Sequence, residues 1–307
     1  MTMDFIINET ITVVGISTPI LLAATGELVV EKSGVLNLGV EGMMLVGAIT
    51  GFAVTFTTFN PWLGFLAGAA AGAAISMVFG VLVLSLGSNQ VATGLALAIL
   101  GIGLSTLIGT GFTGMIVPQF SSIFPDVLSS DPFWRVIFGH SPLVYIALFI
   151  IFAVGWFLNK TRAGLVLRAV GENDHSAHSI GYSVIGIRYM AVAFGGAMAG
   201  IAGSYFSMVI TPMWAERMTA GRGWIALALV VFSGWKAGRL LAGAYFFGIL
   251  MAFELYSKAS GGLLLPSQFW AAMPYIMAIV VLAVISFRDR TGSEAPACLG
   301  KPFHPNT

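Results

Sequence analysis

The sequence predicts an all-α fold: a polytopic membrane helix bundle of about nine spans, with re-entrant or broken helices and a weak inverted repeat. Three observations lead there. Hydrophobic residues make up 57% of the 307 and charged residues 9%, with a mean hydropathy of +0.93. A soluble domain carries about 25% charged residues, so this chain cannot solvate an ordinary surface. Apolar runs of about 16 to 25 residues alternate with polar or Pro/Gly breaks. The 38 glycines and 14 methionines suit closely packed membrane helices.

The runs fall, in order, at 10–25, 34–56, 62–86, 91–110, 143–158, 189–209, 219–232, 240–257 and 269–287. The second and seventh open with polar, glycine-rich sequence and are read as broken or re-entrant. Irregular backbone is tolerated at membrane depth only where protein or water surrounds it. Residues 1–287 therefore form one transmembrane domain, and 288–307 a polar, Pro-rich cytoplasmic tail expected to be disordered.

Charge sets the orientation. With the C-terminus inside, that side holds Lys32, Lys160, Arg162, Arg168, Arg188, Lys236, Arg239, Arg288, Arg290 and Lys301. The other holds Arg135, Arg217, Arg222 and Lys258, a split of ten to four of the 14. The positive-inside rule then places the C-terminus in the cytoplasm and the N-terminus outside. No Lys or Arg precedes Lys32, which argues against a cleavable signal peptide. A net charge of +1 gives no electrostatic case for a nucleic-acid partner. The lone cysteine, Cys298, excludes an internal disulfide.

Glycines recur every four residues at Gly64, Gly68 and Gly72 and at Gly196 and Gly200, with Ala199 and Gly203 alongside. Such stripes let membrane helices approach closely and specify architecture, not substrate. Leu66-Ala67-Gly68-Ala69 returns as Leu241-Ala242-Gly243-Ala244. The two copies lie five spans apart, in opposite orientations, as inverted repeats do.

Polar residues inside or at the ends of spans carry the functional reading. An intramembrane carboxylate costs several kcal/mol or more and faces a protein interior or a water path. Asn37, Glu41, Asn89, Gln90 and Thr93 are the candidates for a translocation path. Helix capping and interhelical hydrogen bonding are the alternative for each, and the preferred one for Glu254.

Two loops are long. The outside loop, 111–142, carries Trp134 and Arg135, residue types enriched at interface hot spots. The inside loop, 159–188, reads KTRAGLVLRAVGENDHSAHSIGYSVIGIRY and suits a short surface helix that another protein grips. His175 and His178 are three apart, but a metal needs further ligands, and no metal or cofactor is expected.

The chain has no GxxxxGK[ST] phosphate loop, GxSxG elbow or HExxH pair, so neither ATP hydrolysis nor these hydrolase chemistries are expected. Gly203-Ser204 is half of an intramembrane serine protease site. All four histidines lie outside or at the border of spans.

Four stretches resemble the permease subunits of bacterial ATP-binding-cassette importers: GELVVEKSGVLNLGVEGMMLVGA, NQVATGLAL, TRAGLVLRAVGENDHSAHSIGYSVIGIRY and MTAGRGWIALALVVFSGWKAGRLLAGA. They extend over most of 26–244, in family order. The match is to the ribose and branched-chain amino acid superfamily, closest to its nucleoside and simple-sugar group.

The resemblance implies a multi-pass inner-membrane subunit that is not itself an enzyme. It implies three partners: an ATP-binding subunit, a second permease subunit and an external substrate-binding lipoprotein. Gly171, Glu172, Asn173, Ala177 and Gly181 match the family's coupling helix. The sequence departs from that pattern at Asp174 and His175, where a proline is usual, and at Tyr182, where an aliphatic is. A stand-alone ion-coupled carrier is the competing reading, since inverted repeats and Glu41 suit it. An intramembrane enzyme using Ser204 is the third.

Overall fold

A computed structural model describes residues 3–118, 120, 132–259, 267–288 and 295–304. The described residues form twelve α-helices: α1 (Met3–Lys32), α2 (Val40–Thr58), α3 (Pro61–Gly80), α4 (Gln90–Gly109), α5 (Pro132–Phe138), α6 (Pro142–Lys160), α7 (Arg162–Glu172), α8 (Asp174–Ser179), α9 (Val184–Tyr205), α10 (Arg222–Phe232), α11 (Ala237–Ala259) and α12 (Ser267–Arg288). Helices α3 and α9 each run on through a π-helical turn, Val81–Ser85 and Phe206–Ile210.

Among the described residues seven helices are long and apolar enough to cross a membrane. The expected count of about nine spans is not confirmed: beyond the seven there are two shorter apolar stretches among the described residues, Arg222–Phe232 and Gln268–Val281. The 11 residues of α10 rise about 16 Å, half of a hydrocarbon core of about 30 Å. A non-helical segment, 211–221, leads into it.

The first span runs past its expected end at Thr25 to Lys32. Two carboxylates, Glu27 and Glu31, therefore lie within the helix, and both are buried. They do not end it because each finds a donor. Glu27 Oε1 accepts from the Asn37 N–H (3.3 Å) and Glu31 Oε2 from Trp235 Nε1 (2.6 Å).

Helices α1, α2 and α9 form the centre. Glycines let α2, α3 and α9 meet backbone to backbone. A Cβ on Gly72 would lie 2.8 Å from the Gly200 Cα, and one on Gly68 would meet Ser204 Oγ. Ser204 is fully buried and donates to the carbonyls of Gly47 and Gly200, both at 3.0 Å. It ties α9 to α2, which removes the protease reading. The outer faces of α3 and α4 leave Leu66, Ile99 and Leu107 exposed, as helices facing lipid or a partner do.

Part of the outside loop, 119 and 121–131, lies outside the described residues. Its start pairs with the entry to α10: the Val117 N–H donates to the Pro212 carbonyl (3.1 Å). Composition also marks the tail for disorder, yet residues 295–304 lie against the end of α1 and the end of α7. Backbone groups of this segment pair with Gly34 and Gly171, contacts that a composition average does not register.

Candidate translocation and coupling site

The chain breaks between α1 and α2. Gly34 takes a φ of +90°, a left-handed conformation that side chains with a Cβ resist. Asn37, fully buried, closes the turn that follows. Its Oδ1 accepts from the Gly39 N–H (3.0 Å), and its Nδ2 points at the Met43 sulfur (3.5 Å).

Glu41 sits one residue into α2 and is 4% exposed. Its Oε1 accepts from Thr219 Oγ1 (2.6 Å) and the Gly221 N–H (2.8 Å), and its Oε2 from the Gly223 N–H (2.7 Å). These donors belong to the start of α10. That helix opens on Gly221, whose φ is +81° and which has no side chain to cap it. A helix start leaves N–H groups without partners and carries partial positive charge. Glu41 supplies the missing cap from another helix. Beside it, the Arg222 guanidinium stacks 4.9 Å above the Phe206 ring.

At the other end of α10, Trp235 reaches Glu31 on α1. The short helix is thus held at both ends by buried carboxylates. Glu31 and Trp235 were not singled out from the sequence. The signal was present in the four-residue spacing of Glu27 and Glu31 on one face of a helix.

The structure does not gather all five path candidates. Asn89 caps α4 through the Ala92 N–H (3.0 Å), and Thr93 bonds Ser88 Oγ (2.9 Å). Gln90 reaches the break, where its Oε1 accepts from the Leu36 N–H (2.8 Å).

The inside loop folds into α7 and α8. Thr161 caps α7 through the Gly164 N–H (3.0 Å), and Asn173 caps α8 through the Ser176 N–H (2.9 Å). Gly171 packs so closely on α1 that an added Cβ would meet the Lys32 carbonyl. Ala177 is buried with Val170 and Val184, and Gly181 (φ +96°) turns the chain out of α8. Glu172, His175, His178, Ile180 and Tyr182 remain exposed.

Asp174, where the sequence departs from the resembled pattern, is buried against Arg188. Arg188, 1% exposed, also donates from Nε to the Ser33 carbonyl (3.1 Å). One guanidinium thereby joins α8, α9 and the end of α1.

Trp134 and Arg135 lie on α5. Trp134 is half exposed, and its ring is 5.7 Å from Phe138.

Residues 10–283 match the family described as the branched-chain amino acid transport system permease component. The chain is 40% identical over 301 residues to a putative glucose ABC transporter permease of Haloferax volcanii, covering 90% of each chain. It is 31% identical over 307 residues to a guanosine ABC transporter permease of Bacillus subtilis, covering 94% of this chain and 93% of the relative. A nucleoside ABC transporter permease of Lactococcus lactis is 28% identical over 281 residues, covering 87% and 89%.

Proposed function

The chain belongs to the permease-component family of branched-chain amino acid transport systems, and from that premise we propose that it moves a sugar or nucleoside as half of an importer pore. Membership makes it an integral membrane transport subunit and not an enzyme. It also implies an ATP-binding subunit and a substrate-binding protein as partners. The second, different permease subunit belongs to our reading. So does the choice of solute, which rests on relatives named for glucose, guanosine and nucleosides.

One observation carries the mechanism: buried polar contacts tie α8 to the end of α1, and the chain runs on from there directly into the broken entry of α2. Asp174 holds Arg188, and Arg188 holds the Ser33 carbonyl. Four residues on, Asn37 sets the break, and eight residues on, Glu41 holds α10. In this reading the ATP-binding subunit grips α8 through Glu172, Asn173 and the surface around Gly171, Ala177 and Gly181. A shift of α8 then moves the end of α1 and the break together. Asn37, Glu41 and Gln90 frame the path, Asn89 caps the helix beside it, Thr93 bonds Ser88 near the start of that helix, and Trp134 and Arg135 meet the binding protein.

Reconstitution tests this. The chain is placed in proteoliposomes with its ATP-binding, second permease and binding subunits, and uptake of labelled nucleosides and monosaccharides is measured. The expected result is ATP-dependent, vanadate-sensitive uptake of one of the two solute classes. Joint replacement of Glu172 and Asn173 by Trp should leave insertion intact and uncouple ATP hydrolysis from uptake. Uptake driven by an ion gradient without the ATP-binding subunit would instead establish a stand-alone carrier.

A further inference from the structure

The segment 295–304 follows the last span and comes back onto the coupling unit. The Cys298 N–H donates to the Gly171 carbonyl (2.9 Å), and the Gly300 N–H to the Gly34 carbonyl (3.2 Å). The Ala297 N–H reaches Glu172 Oε2 (3.4 Å), and Gln90 Nε2 donates to the Lys301 carbonyl (3.4 Å). The Phe303 ring then lies 5.4 Å from the His175 ring and 5.5 Å from that of His178. It also packs on the small core of Val170, Ala177 and Val184.

These partners are not arbitrary. Gly171 is in the last turn of α7, whose carbonyls lack intrahelical donors. Gly34 is the positive-φ turn at the break. Gln90 opens α4. Helix α8 has six residues, too few to persist on its own propensity. It needs outside support, and Phe303 provides some of it on the side where His175 and His178 project. The neighbouring face stays open, with Ile180 73% and Tyr182 42% exposed.

We propose that residues 295–304 are a working part of the coupling surface, holding α8 in place and presenting Phe303 and His304 beside it to the ATP-binding subunit. The proposal rests on the assignment of α8 as the coupling helix. The occupant follows from family membership, which implies that partner. It also follows from continuity, since the segment extends the exposed face around Ile180 and Tyr182. Because the same ten residues touch Gly34 and Gln90, they give α8 a second connection to the break, parallel to that through Arg188.

The test uses the full transporter complex in proteoliposomes. Three variants are compared: a chain ending at Arg290, Phe303→Ala, and Ile180→Asp on the exposed face of α8. Retention of the ATP-binding subunit and ATP-driven uptake are measured. In permease free of that subunit, the labelling rate of Cys298, the lone thiol, is read with a thiol reagent. The truncation and Ile180→Asp should each lower retention and uptake by about tenfold or more. Phe303→Ala should lower both severalfold and speed Cys298 labelling as the segment lifts.

Loss with Ile180→Asp and wild-type behaviour of the truncation would overturn the proposal and leave the coupling assignment standing. Wild-type behaviour of both would overturn the two together. Should the truncated chain fail to accumulate, Phe303→Ala decides. Unchanged uptake and unchanged Cys298 labelling in that variant would refute the proposal.

Discussion

Arg188 Nη2 lies 3.1 Å from Asp174 Oδ2, and the same guanidinium reaches the Ser33 carbonyl through Nε. Both side chains are almost wholly buried. Removing one partner of a buried ion pair leaves an uncompensated charge and costs about 3–5 kcal/mol, whereas replacing both with apolar groups can be nearly neutral. Arg188→Met and Asp174→Leu should each lower the thermal stability of the purified permease strongly, and the double variant should recover much of it. Uptake should not recover, because the double variant no longer joins α8 to the end of α1. A double variant that transports like wild type would show that this pair does not transmit motion.

The glycine seam makes a separate prediction. A Cβ on Gly72 would meet the backbone of α9, which cannot move aside as a flexible side chain can. Gly72→Ala should destabilise by about 1–3 kcal/mol, the usual cost of overpacking. Gly103, also helical, has nothing within 4 Å of its would-be Cβ. Gly103→Ala should be neutral or slightly stabilising, since glycine weakens a helix interior. Unfolding midpoints of the two variants in one detergent compare them directly, and equal losses would refute the seam.

The membrane bundle was legible because apolar run length and charge asymmetry are local properties. The short helices of 159–188 were legible for the same reason: the stretch is a polar island, and its caps Thr161 and Asn173 are common capping types. The partners of the polar residues were not. Nothing near Glu41 in sequence announces Thr219, Gly221 and Gly223, which lie some 180 positions away. Asp174 read as a departure from the resembled motif, and its meaning depends on Arg188, which reads by itself as one more inside cation. The docking of residues 295–304 was not legible, because hydrogen bonds to helix-end carbonyls come from backbone N–H groups, which every non-proline residue has. The half-length of α10 was partly visible in the glycines at 221 and 223.

The docked tail has a pH signature. Partial burial pushes the Cys298 thiol above the ordinary thiol range; the Asp174 carboxyl adds to this, while the Asp174 backbone and the Arg188 charge oppose it. The thiolate is the reactive form, and a raised pKa leaves less of it at any given pH. Labelling of native permease should therefore rise at higher pH than labelling of the same chain unfolded in denaturant. In Phe303→Ala the profile should move back toward the unfolded one. Coincident profiles for native and unfolded chains would show that the docked segment does not shield Cys298.

Glu41 separates two roles by chemistry. Its two oxygens accept three hydrogen bonds from the start of α10. Glu41→Gln keeps the shape but turns one acceptor into a donor. The amide oxygen can serve either the Gly221 and Thr219 side or the Gly223 side, and its NH2 must then face a donor on the other. A buried group left without a partner costs about 1–3 kcal/mol, and loss of the charge also weakens the interaction with the helix start. Gln should therefore preserve assembly with the partner subunits and lower transport. Glu41→Leu strands all three donors and should lose both. Complex recovery and uptake, measured together, distinguish this from a direct solute contact. If Glu41 touched the solute without holding α10, Leu would assemble normally and fail only in uptake. Normal uptake by Glu41→Leu would remove Glu41 from both roles.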